Sequence, residues 1–308
     1  MSAKIDYQQV MNNIYSRICG EENEGKVADY IPELSKVDPN KFGACLRTIE
    51  GGIYGVGDWE TKFSIQSISK VLALSMAYKI IGDDMWERVG VEPSGTPFNS
   101  LLQLEADHGI PRNPFINAGA LVVSDLLISN TEKPFEEFLT FIRSICSNQK
   151  LNFSQEIAHS ERSVGFRNKA LCNFIKSLGN IENDPEDVLE FYFCMCSIEM
   201  TCKELTSTFM YLVDDNFLSI SGDPILTMSQ AKRINAVMQT CGFYDESGEF
   251  SFKVGLPGKS GVGGGIVALH PDKYCIAAWS PKLNKKGNSS RGMKFLEAFT
   301  TETQLSIF

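Results

Sequence analysis

The order of strand-like and helix-like segments constrains the fold of this chain more than any other feature of its sequence. Residues 42–48 and 53–56 are rich in β-branched and aromatic residues and flank Glu50-Gly51-Gly52, which predicts a β-hairpin. From residue 63 to about residue 238, almost every segment has helical periodicity. Strand character returns near the carboxyl terminus, at residues 254–256, Gly265–His270 and Tyr274–Trp279.

Strands at both ends of a chain, with helices between them, predict an α+β fold. We expect one antiparallel sheet built from both ends of the chain, flanked by helices at residues 5–19 and 291–304, plus a large all-helical lobe. A single domain would then span residues 1–308, with a sheet lobe at about 1–62 and 240–308 and a helical lobe at about 63–239. The cleft between two such lobes is a natural site for a ligand.

Charge and hydropathy exclude several classes of partner. The 308 residues carry a net charge of -9, and no run of Lys or Arg offsets it, so we expect neither nucleic-acid nor membrane binding. The amino terminus has no apolar core of the signal-peptide type, and the longest apolar stretch, residues 71–81, is interrupted by Ser75 and Lys79. These features predict a soluble protein that stays in the cytoplasm.

Cysteine and histidine usage gives no indication of a metal site. The nine cysteines are odd in number, lie mostly in apolar segments and form no CxxC pair, which is typical of reduced, buried thiols in a cytosolic protein. The three histidines, His108, His159 and His270, have no His or Cys at the spacing of zinc ligands. We therefore expect no metal, and the sequence implies no cofactor.

One lysine occupies an unusual place in the segment FSIQSISKVLALSMAY, residues 63–78. The periodicity predicts an amphipathic helix in which Ser67 and Lys70 share the apolar stripe with Val71, Leu74 and Tyr78. Serine and lysine at i and i+3 are neighbours on a helix, so an amine there can take the proton of a hydroxyl that attacks a carbonyl. A lysine that extends its amine to solvent is the alternative, and periodicity alone supports both about equally.

The same Ser-x-x-Lys spacing recurs twice, at Ser147–Lys150 and Ser229–Lys232. We attribute the second match to chance, since it lies in a polar segment. The third lies in a segment where Thr227 and Gln230 predict a helix capping box.

In the first match, Ser64 is a candidate N-cap, which would place Ser67 at the third helical position with its backbone N–H free to face an oxyanion. The positive end of the helix dipole would also disfavour a charge on Lys70, as a general base requires.

The glycine-rich segment GLPGKSGVGGGIVAL, residues 255–269, imitates a phosphate-binding loop only in part. Gly258-Lys259-Ser260 matches the end of that motif, but Lys253 stands where the motif requires glycine. In addition, the glycines lead into a predicted strand rather than a helix. Glycines at the start of a strand often allow another group to approach the backbone closely. We expect this group to be a substrate.

Three features follow one another along the chain: a Ser-x-x-Lys pair after a first hairpin, a helical lobe, and a late strand with Lys-Ser-Gly. This order is similar to that of serine β-lactamases and penicillin-binding proteins. Five segments resemble a more specific group, the glutaminase family: KVADYIP, FSIQSISKVL, GIPRNPFINAGAL, SERSVGFRNKAL and LPGKSGVGGGI. They extend from Lys26 to Ile266, nearly the whole chain. The family consists of serine-dependent amidohydrolases that convert L-glutamine to L-glutamate and ammonia, on a β-lactamase/transpeptidase-like fold.

The resemblance implies a role for ten residues. Ser67 would be the nucleophile and Lys70 its base, while Tyr30 and Tyr244 would lie beside the serine, with Tyr244 as proton donor to the leaving ammonia. The substrate-contact positions implied are Gln66, Ser67, Asn117, Glu161, Asn168, Tyr192 and Tyr244, with the backbone N–H of Val262 as the second half of an oxyanion hole.

The chemistry of the substrate agrees with these assignments, because a zwitterion with a side-chain amide needs an acid for its ammonium and donors for its carboxylate. Glu161 suits the ammonium, and Asn117, Asn168 and Tyr192 suit the carboxylate. Each of these residues also has a structural alternative, such as a helix cap, a core aromatic residue or a solvated charge. The resemblance further implies a homo-oligomer, dimer or tetramer.

Two other functions remain as alternatives at this point. One is a β-lactamase or peptidase of the same fold, although the Ser-Asp-Asn element is missing and Lys-Ser-Gly replaces the commoner Lys-Thr-Gly. The other is an amino-acid-binding protein without catalysis, which the intact Ser67 and Lys70 argue against.

Overall fold

The computed structural model describes residues 5–94, 101–146 and 148–308, so Ser147 of the second Ser-x-x-Lys match lies outside the described residues. The described α-helices are α1 (Tyr7–Cys19), α2 (Ser69–Ile81), α3 (Leu101–Ala106), α4 (Asn117–Ser129), α5 (Pro134–Ile145), α6 (Gln155–Val164), α7 (Phe166–Ser177), α8 (Pro185–Cys196), α9 (Cys202–Thr208), α10 (Met228–Cys241), α11 (Ser247–Lys253) and α12 (Ser290–Thr303). The strands are β1 (Gly43–Thr48), β2 (Ile53–Gly57), β3 (Phe63–Ser64), β4 (Glu199–Met200), β5 (Gly258–Ser260), β6 (Gly265–His270) and β7 (Tyr274–Trp279).

Five of the strands form one antiparallel sheet in the order β2-β1-β7-β6-β5. The amino-terminal hairpin therefore joins the carboxy-terminal strands through β1 and β7, where Gly43 pairs with Trp279 and Thr48 with Tyr274. The prediction of an α+β fold with an antiparallel sheet built from both ends of the chain is confirmed.

The strand predicted at residues 254–256 is wrong in position. Val254 caps the end of α11, and the edge strand β5 begins only at Gly258, after Pro257. Val254 and Leu256 are both buried in the core, so the apolar character of this segment reflects packing rather than strand pairing.

The sheet is covered on both faces, and residue alternation assigns each side chain to one of them. Ala44, Leu46 and Ile276 pack with α1 and α12, where Ile14 and Phe299 complete that core. Their neighbours in sequence, such as Cys45, Ala277 and Trp279, face the large helical core on the other side. Because both faces are buried, the central strand β7 is apolar throughout rather than alternating with polar residues.

Helix α2 lies at the centre of the helical core, packed by α4, α5, α8 and α10. Every residue from Ser69 to Tyr78 is buried, so the predicted amphipathic character is wrong. A helix buried on all sides lacks a solvent-facing stripe, and its polar residues Ser69, Lys70 and Ser75 are buried with the apolar ones. Ser75 instead donates to the carbonyl of Val71 inside the helix.

The predicted N-cap at Ser64 is also wrong. Ser64 lies in β3, paired with Glu199 of β4, and its hydroxyl donates to the carbonyl of Cys196. A 3₁₀ turn, Gln66–Ile68, follows β3, and α2 begins only at Ser69. Ser67 therefore lies in the turn that connects the short strand to the central helix. The capping box predicted from Thr227 and Gln230 is confirmed at the start of α10.

All nine cysteines are unpaired, and all except Cys19 are buried, as the sequence predicted for reduced thiols. In the described ranges, no helix is both long enough and apolar enough to cross a membrane. The location of the protein in the cytoplasm stays a prediction.

Candidate active site

A cavity of about 470 Å³ opens where the turn before α2 meets α4, α6, α7 and α8 and the loops after β5 and β7. Nine of the ten residues predicted for the site line it: Tyr30, Gln66, Ser67, Asn117, Glu161, Asn168, Tyr192, Tyr244 and Val262. The tenth, Lys70, lies directly behind this lining, bonded to Asn117. The structure thus brings together residues that are widely separated in the sequence.

A strained backbone presents Ser67 to the cavity. Gln66 has φ 49°, the left-handed region that non-glycine residues seldom adopt. Two hydrogen bonds hold it there, because its side chain donates to Ser64 Oγ at 3.0 Å and its carbonyl accepts from Ser69 Oγ at 2.7 Å. Such strain clusters at functional sites, where surrounding contacts fix it.

Lys70 is buried, with only 1% of its surface exposed, so the interpretation as a lysine extended to solvent is wrong. Its Nζ donates to Asn117 Oδ1 at 2.7 Å and to the carbonyl of Phe115 at 3.1 Å. Asn117 Nδ2 in turn donates to Asn168 Oδ1 at 2.9 Å. A continuous hydrogen-bonded chain therefore links the lysine beneath the serine to the wall of the cavity.

Glu161 of α6 provides an acceptor with no partner. The residue is 7% exposed, and its Oε2 atom accepts no hydrogen bond from the described part of the chain. Burial raises the pKa of Glu161 to about 8, although the positive charge of Lys70 and a hydrogen bond from Gln66 act in the opposite direction. A buried acceptor without a partner is rare, and in a cavity wall it is suited to a donor on a ligand.

Tyr244 lies in the 3₁₀ turn Tyr244–Glu246, where its φ of 53° makes it the second strained residue of the lining. Two lysine amines lie near its ring, with Lys259 Nζ 4.3 Å and Lys70 Nζ 5.7 Å from the centroid. Burial acts to raise the pKa of Tyr244, but the charges of the two lysines and hydrogen bonds involving Ser67 and Lys259 outweigh it and lower the pKa to about 8. Tyr244 is thus the tyrosine of the cavity best suited to exchange a proton near neutral pH.

The other two tyrosines of the cavity, Tyr30 and Tyr192, have raised rather than lowered pKa values. Tyr192 of α8 is buried, with its ring centroid 5.8 Å from Lys70 Nζ, and burial raises its pKa well above the ordinary value. Tyr30 leaves 56% of its surface exposed at the mouth of the cavity, and desolvation together with the charge of Glu161 raises its pKa. Both phenols therefore stay protonated and can donate hydrogen bonds.

Close backbone contacts place Val262 beside Ser67. A Cβ atom at Gly261 would lie 2.4 Å from the carbonyl oxygen of Ile65, and one at Gly263 would lie 2.1 Å from that of Ser64. Only glycine allows the turn between β5 and β6 to approach the serine turn so closely. The N–H of Val262, between them, donates no hydrogen bond to the described residues.

Lys259 is a functional candidate that the sequence did not predict. It is fully buried in β5, its Nζ donates to the carbonyl of Ser260 at 2.6 Å, and burial lowers its pKa to about 8. A signal was present, because a lysine in a strand buried on both faces is as unusual as one in a buried helix. Three cations in the cavity lining, Arg167, Lys285 and Lys286, were not predicted either.

None of the three histidines lines this cavity, and no cluster of three potential metal ligands occurs among the described residues.

Comparison with known proteins decides the family. The model of the family described as glutaminase matches residues 25–308. The chain belongs to the glutaminase family. The glutaminase of Christiangramia forsetii is 54% identical over 304 residues, covering 99% of this chain and 100% of that protein. The glutaminase of Aliarcobacter butzleri is 51% identical over 305 residues, covering 99% and 100%.

Solved glutaminase structures show the same fold. The structure described as probable glutaminase ybaS superposes with a TM-score of 0.92 at 32% identity, over 98% of each chain. A probable glutaminase of Bacillus subtilis gives 0.85 at 30% identity, over 98% of this chain and 96% of that one. A structure of Mglu in its glutamate form gives 0.91 at 29% identity, over 99% of this chain and 70% of that one.

The predicted β-lactamase/penicillin-binding-protein-like fold is therefore confirmed, and this glutaminase-family chain is an amidohydrolase.

Proposed function

We propose that this enzyme hydrolyses L-glutamine to L-glutamate and ammonia through a Ser67–Lys70 dyad and a γ-glutamyl ester on Ser67. The observation that carries the proposal is the buried amine of Lys70, fixed by Asn117 and one helical turn from a serine that opens into the cavity. A lysine buried without a carboxylate partner is costly unless its amine has a chemical use.

In the first half of the reaction, Ser67 Oγ attacks the side-chain amide carbon of glutamine and its proton passes to Lys70. The C–N bond then breaks, and Tyr244 donates a proton to the departing nitrogen, which leaves as ammonia. The pKa of Tyr244, lowered to about 8, favours this donation near neutral pH.

In the second half, water attacks the γ-glutamyl ester and gives a proton to the deprotonated Tyr244. The C–O bond to Ser67 then breaks, Lys70 returns its proton to Ser67 Oγ, and glutamate leaves with all three residues restored. Each attack puts negative charge on the former amide oxygen. The backbone N–H groups of Ser67 and Val262 are the proposed donors to this oxygen, and the glycine contacts around Val262 fix their separation.

Recognition of the amino acid is assigned to the wall that carries Glu161. Its unpartnered Oε2 would accept from the ammonium of glutamine, which would also favour the ionised carboxylate. For the carboxylate of glutamine, we assign Asn168 Nδ2 and the Tyr192 hydroxyl as donors, with Gln66 and Tyr30 completing the surroundings. Asn117 is already engaged with Lys70 and Asn168, so its main contribution would be to hold them.

The solved relative Mglu, in its glutamate form, supports a site for the product glutamate on this fold. Two further expectations accompany the proposal: a single catalytic domain made of a sheet lobe and a helical lobe, and a homo-oligomer in the cytoplasm. Light scattering after size-exclusion chromatography tests the oligomeric state.

The deciding experiment compares three properties, two of the unaltered protein and one of a Ser67→Ala variant. Ammonia release is measured with L-glutamine, hydrolysis with nitrocefin, and binding of glutamine by calorimetry with a Ser67→Ala variant. We expect ammonia release and binding but no nitrocefin hydrolysis. Binding without ammonia release by the unaltered protein would refute the proposal in favour of a binding protein, and nitrocefin hydrolysis alone would favour a β-lactamase.

A further inference from the structure

A buried carboxylate outside the cavity lining, Glu246, links the turn of Tyr244 to the loop that follows β7. Its Oε1 accepts from Asn284 Nδ2 at 2.9 Å, and its Oε2 accepts from the same nitrogen at 3.0 Å and from Asn288 Nδ2. We call these three residues the Glu246 clamp. Glu246 and Asn288 are both buried, and no positively charged side chain forms an ion pair with Glu246 in the described residues.

On one side, the clamp is attached to the strained turn. Glu246 lies two residues after Tyr244 in the same 3₁₀ turn, and its N–H donates to the carbonyl of Phe243. Ser247 tightens this turn by accepting from the N–H of Phe243 and donating to the carbonyl of Tyr244, both at 3.0 Å. Any shift of Glu246 is therefore passed to the backbone of Tyr244.

On the other side, the clamp is attached to a wall of the cavity. Asn284 Oδ1 accepts from the N–H groups of Lys286 and Asn288, which gives the loop a fixed shape. Leu283, Lys286 and Gly287 of this loop line the cavity. Leu283 also exchanges both backbone hydrogen bonds with Lys26, four residues before Tyr30.

We propose that Glu246 is a positioning residue: by accepting from Asn284 and Asn288, it fixes the cavity loop against the turn of Tyr244 and so holds the Tyr244 side chain at Ser67. This inference rests on the proposed role of Tyr244 as proton donor. An isolated left-handed conformation is unfavourable for tyrosine, so contacts outside the residue must maintain it. The clamp supplies them from a part of the chain that is distant in sequence.

The test reverses the polarity of one hydrogen bond and then restores it. Glu246→Gln turns one of the two acceptor oxygens into a donor, so in either orientation of the new amide its N–H₂ faces an asparagine N–H₂. We expect kcat for glutamine to fall by about 10-fold or more, because misplacement of about 1 Å costs up to 10² in rate. Adding Asn288→Asp restores a donor–acceptor pair at unchanged net charge, and kcat should recover to within about threefold of the unaltered enzyme. Thermal melting shows that each variant is folded at the assay temperature.

A second readout separates positioning from general stability. In a Tyr244→Phe background, Glu246→Gln should change kcat by less than about twofold, since effects that act through one residue are not additive. The inference is overturned if Glu246→Gln leaves kcat unchanged, if its effect persists fully in the Tyr244→Phe background, or if Asn288→Asp restores melting but not kcat.

Two further variants, Asn284→Ala and Tyr244→Phe, distinguish failure of the Glu246 inference from failure of the proposed function. If Glu246→Gln does not fold, Asn284→Ala removes one of the two loop-side donors at a partly exposed position. The same loss of kcat, and the same lack of a further effect in the Tyr244→Phe background, are expected for it. Full activity of Tyr244→Phe alone would refute the role of Tyr244 in the proposed function. A slow Tyr244→Phe together with a normal Glu246→Gln would refute only the inference about Glu246.

Discussion

Lys70 Nζ donates a 2.7 Å hydrogen bond to Asn117 Oδ1, and this contact joins the central helix α2 to the first residue of α4. Because the oxygen of Asn117 faces the lysine, its amide nitrogen must face Asn168. The orientation of one amide thus connects the base of the proposed dyad with a group of the substrate site.

Replacing Asn117 with alanine removes the side-chain acceptor of Lys70 and leaves its amine with the carbonyl of Phe115. We expect kcat/KM for glutamine to fall by about 10²-fold, because the amine is no longer held beneath Ser67. Asn173→Ala, at an exposed position of α7, is the matched control and should be silent. Equal activity of the two variants would contradict this role of Asn117.

Ser67→Ala removes the proposed nucleophile, so ammonia release should fall by at least about 10⁴-fold while glutamine binding stays within a few-fold. Ser229→Ala is the control, since its Ser-x-x-Lys spacing lies on an exposed part of α10. Ser147→Ala should be silent as well. Steady-state ammonia assays with calorimetric binding check the result, and normal turnover by Ser67→Ala would refute the mechanism.

Glu161→Gln tests the ammonium site through the pH profile. Ionised Glu161 is needed for binding, and its pKa is raised to about 8, so kcat/KM should rise with pH up to about 8. In Glu161→Gln, KM should increase strongly, and the slope of log kcat/KM against pH on the acid side should decrease by about one. Glu156→Gln, exposed on the same helix, should keep the slope of the unaltered enzyme; an unchanged profile in Glu161→Gln would place the ammonium site elsewhere.

Substrate analogues test the same site without mutation. N-acetylglutamine has no ammonium and would leave Glu161 unpaired, so it should be poorer than glutamine by roughly 10⁴ in kcat/KM. Asparagine is one methylene shorter, and anchoring its backbone groups would hold its amide away from Ser67, so it should also fail. Comparable hydrolysis of N-acetylglutamine would exclude Glu161 as the main anchor.

Iodoacetamide under native conditions should add one group per chain, at Cys19, and leave most activity. The other eight thiols are buried, and burial raises the pKa of Cys196, the thiol beside Lys70 and Glu161, so little thiolate forms. Mass spectrometry of the labelled protein and of Cys19→Ser checks both statements. Inactivation that glutamine prevents would indicate a reactive cysteine in the site.

The sequence was sufficient to predict those features whose pattern of residues is local or repeated along the chain. The hairpin and the strands β6 and β7 follow from composition and turn residues, and the i, i+3 spacing placed Ser67 and Lys70 together. The remaining site residues were predicted only because several motifs resemble one family, since no periodicity brings Tyr30, Glu161 and Val262 to one cavity.

Other features depend on long-range packing that no local pattern contains. Ser64 has the composition of an N-cap, yet pairing with β4 draws it into a strand. The complete burial of α2 follows from helices that surround it on every side. Lys259 lies over Tyr244 only because β5 pairs with β6 in one register, and the Glu246 clamp likewise joins segments distant in sequence.

The pairing of β1 with β7 has a consequence for biosynthesis. The ribosome completes the amino-terminal hairpin early, but the strand Tyr274–Trp279 emerges more than two hundred residues later. At about 5–20 residues per second, β1 waits on the order of 10–50 s with one edge unpaired. An apolar strand with an unpaired edge can pair with a strand of a neighbouring nascent chain. The interval of translation, more than the lifetime of the finished enzyme, is therefore when this chain most needs the protection of a chaperone.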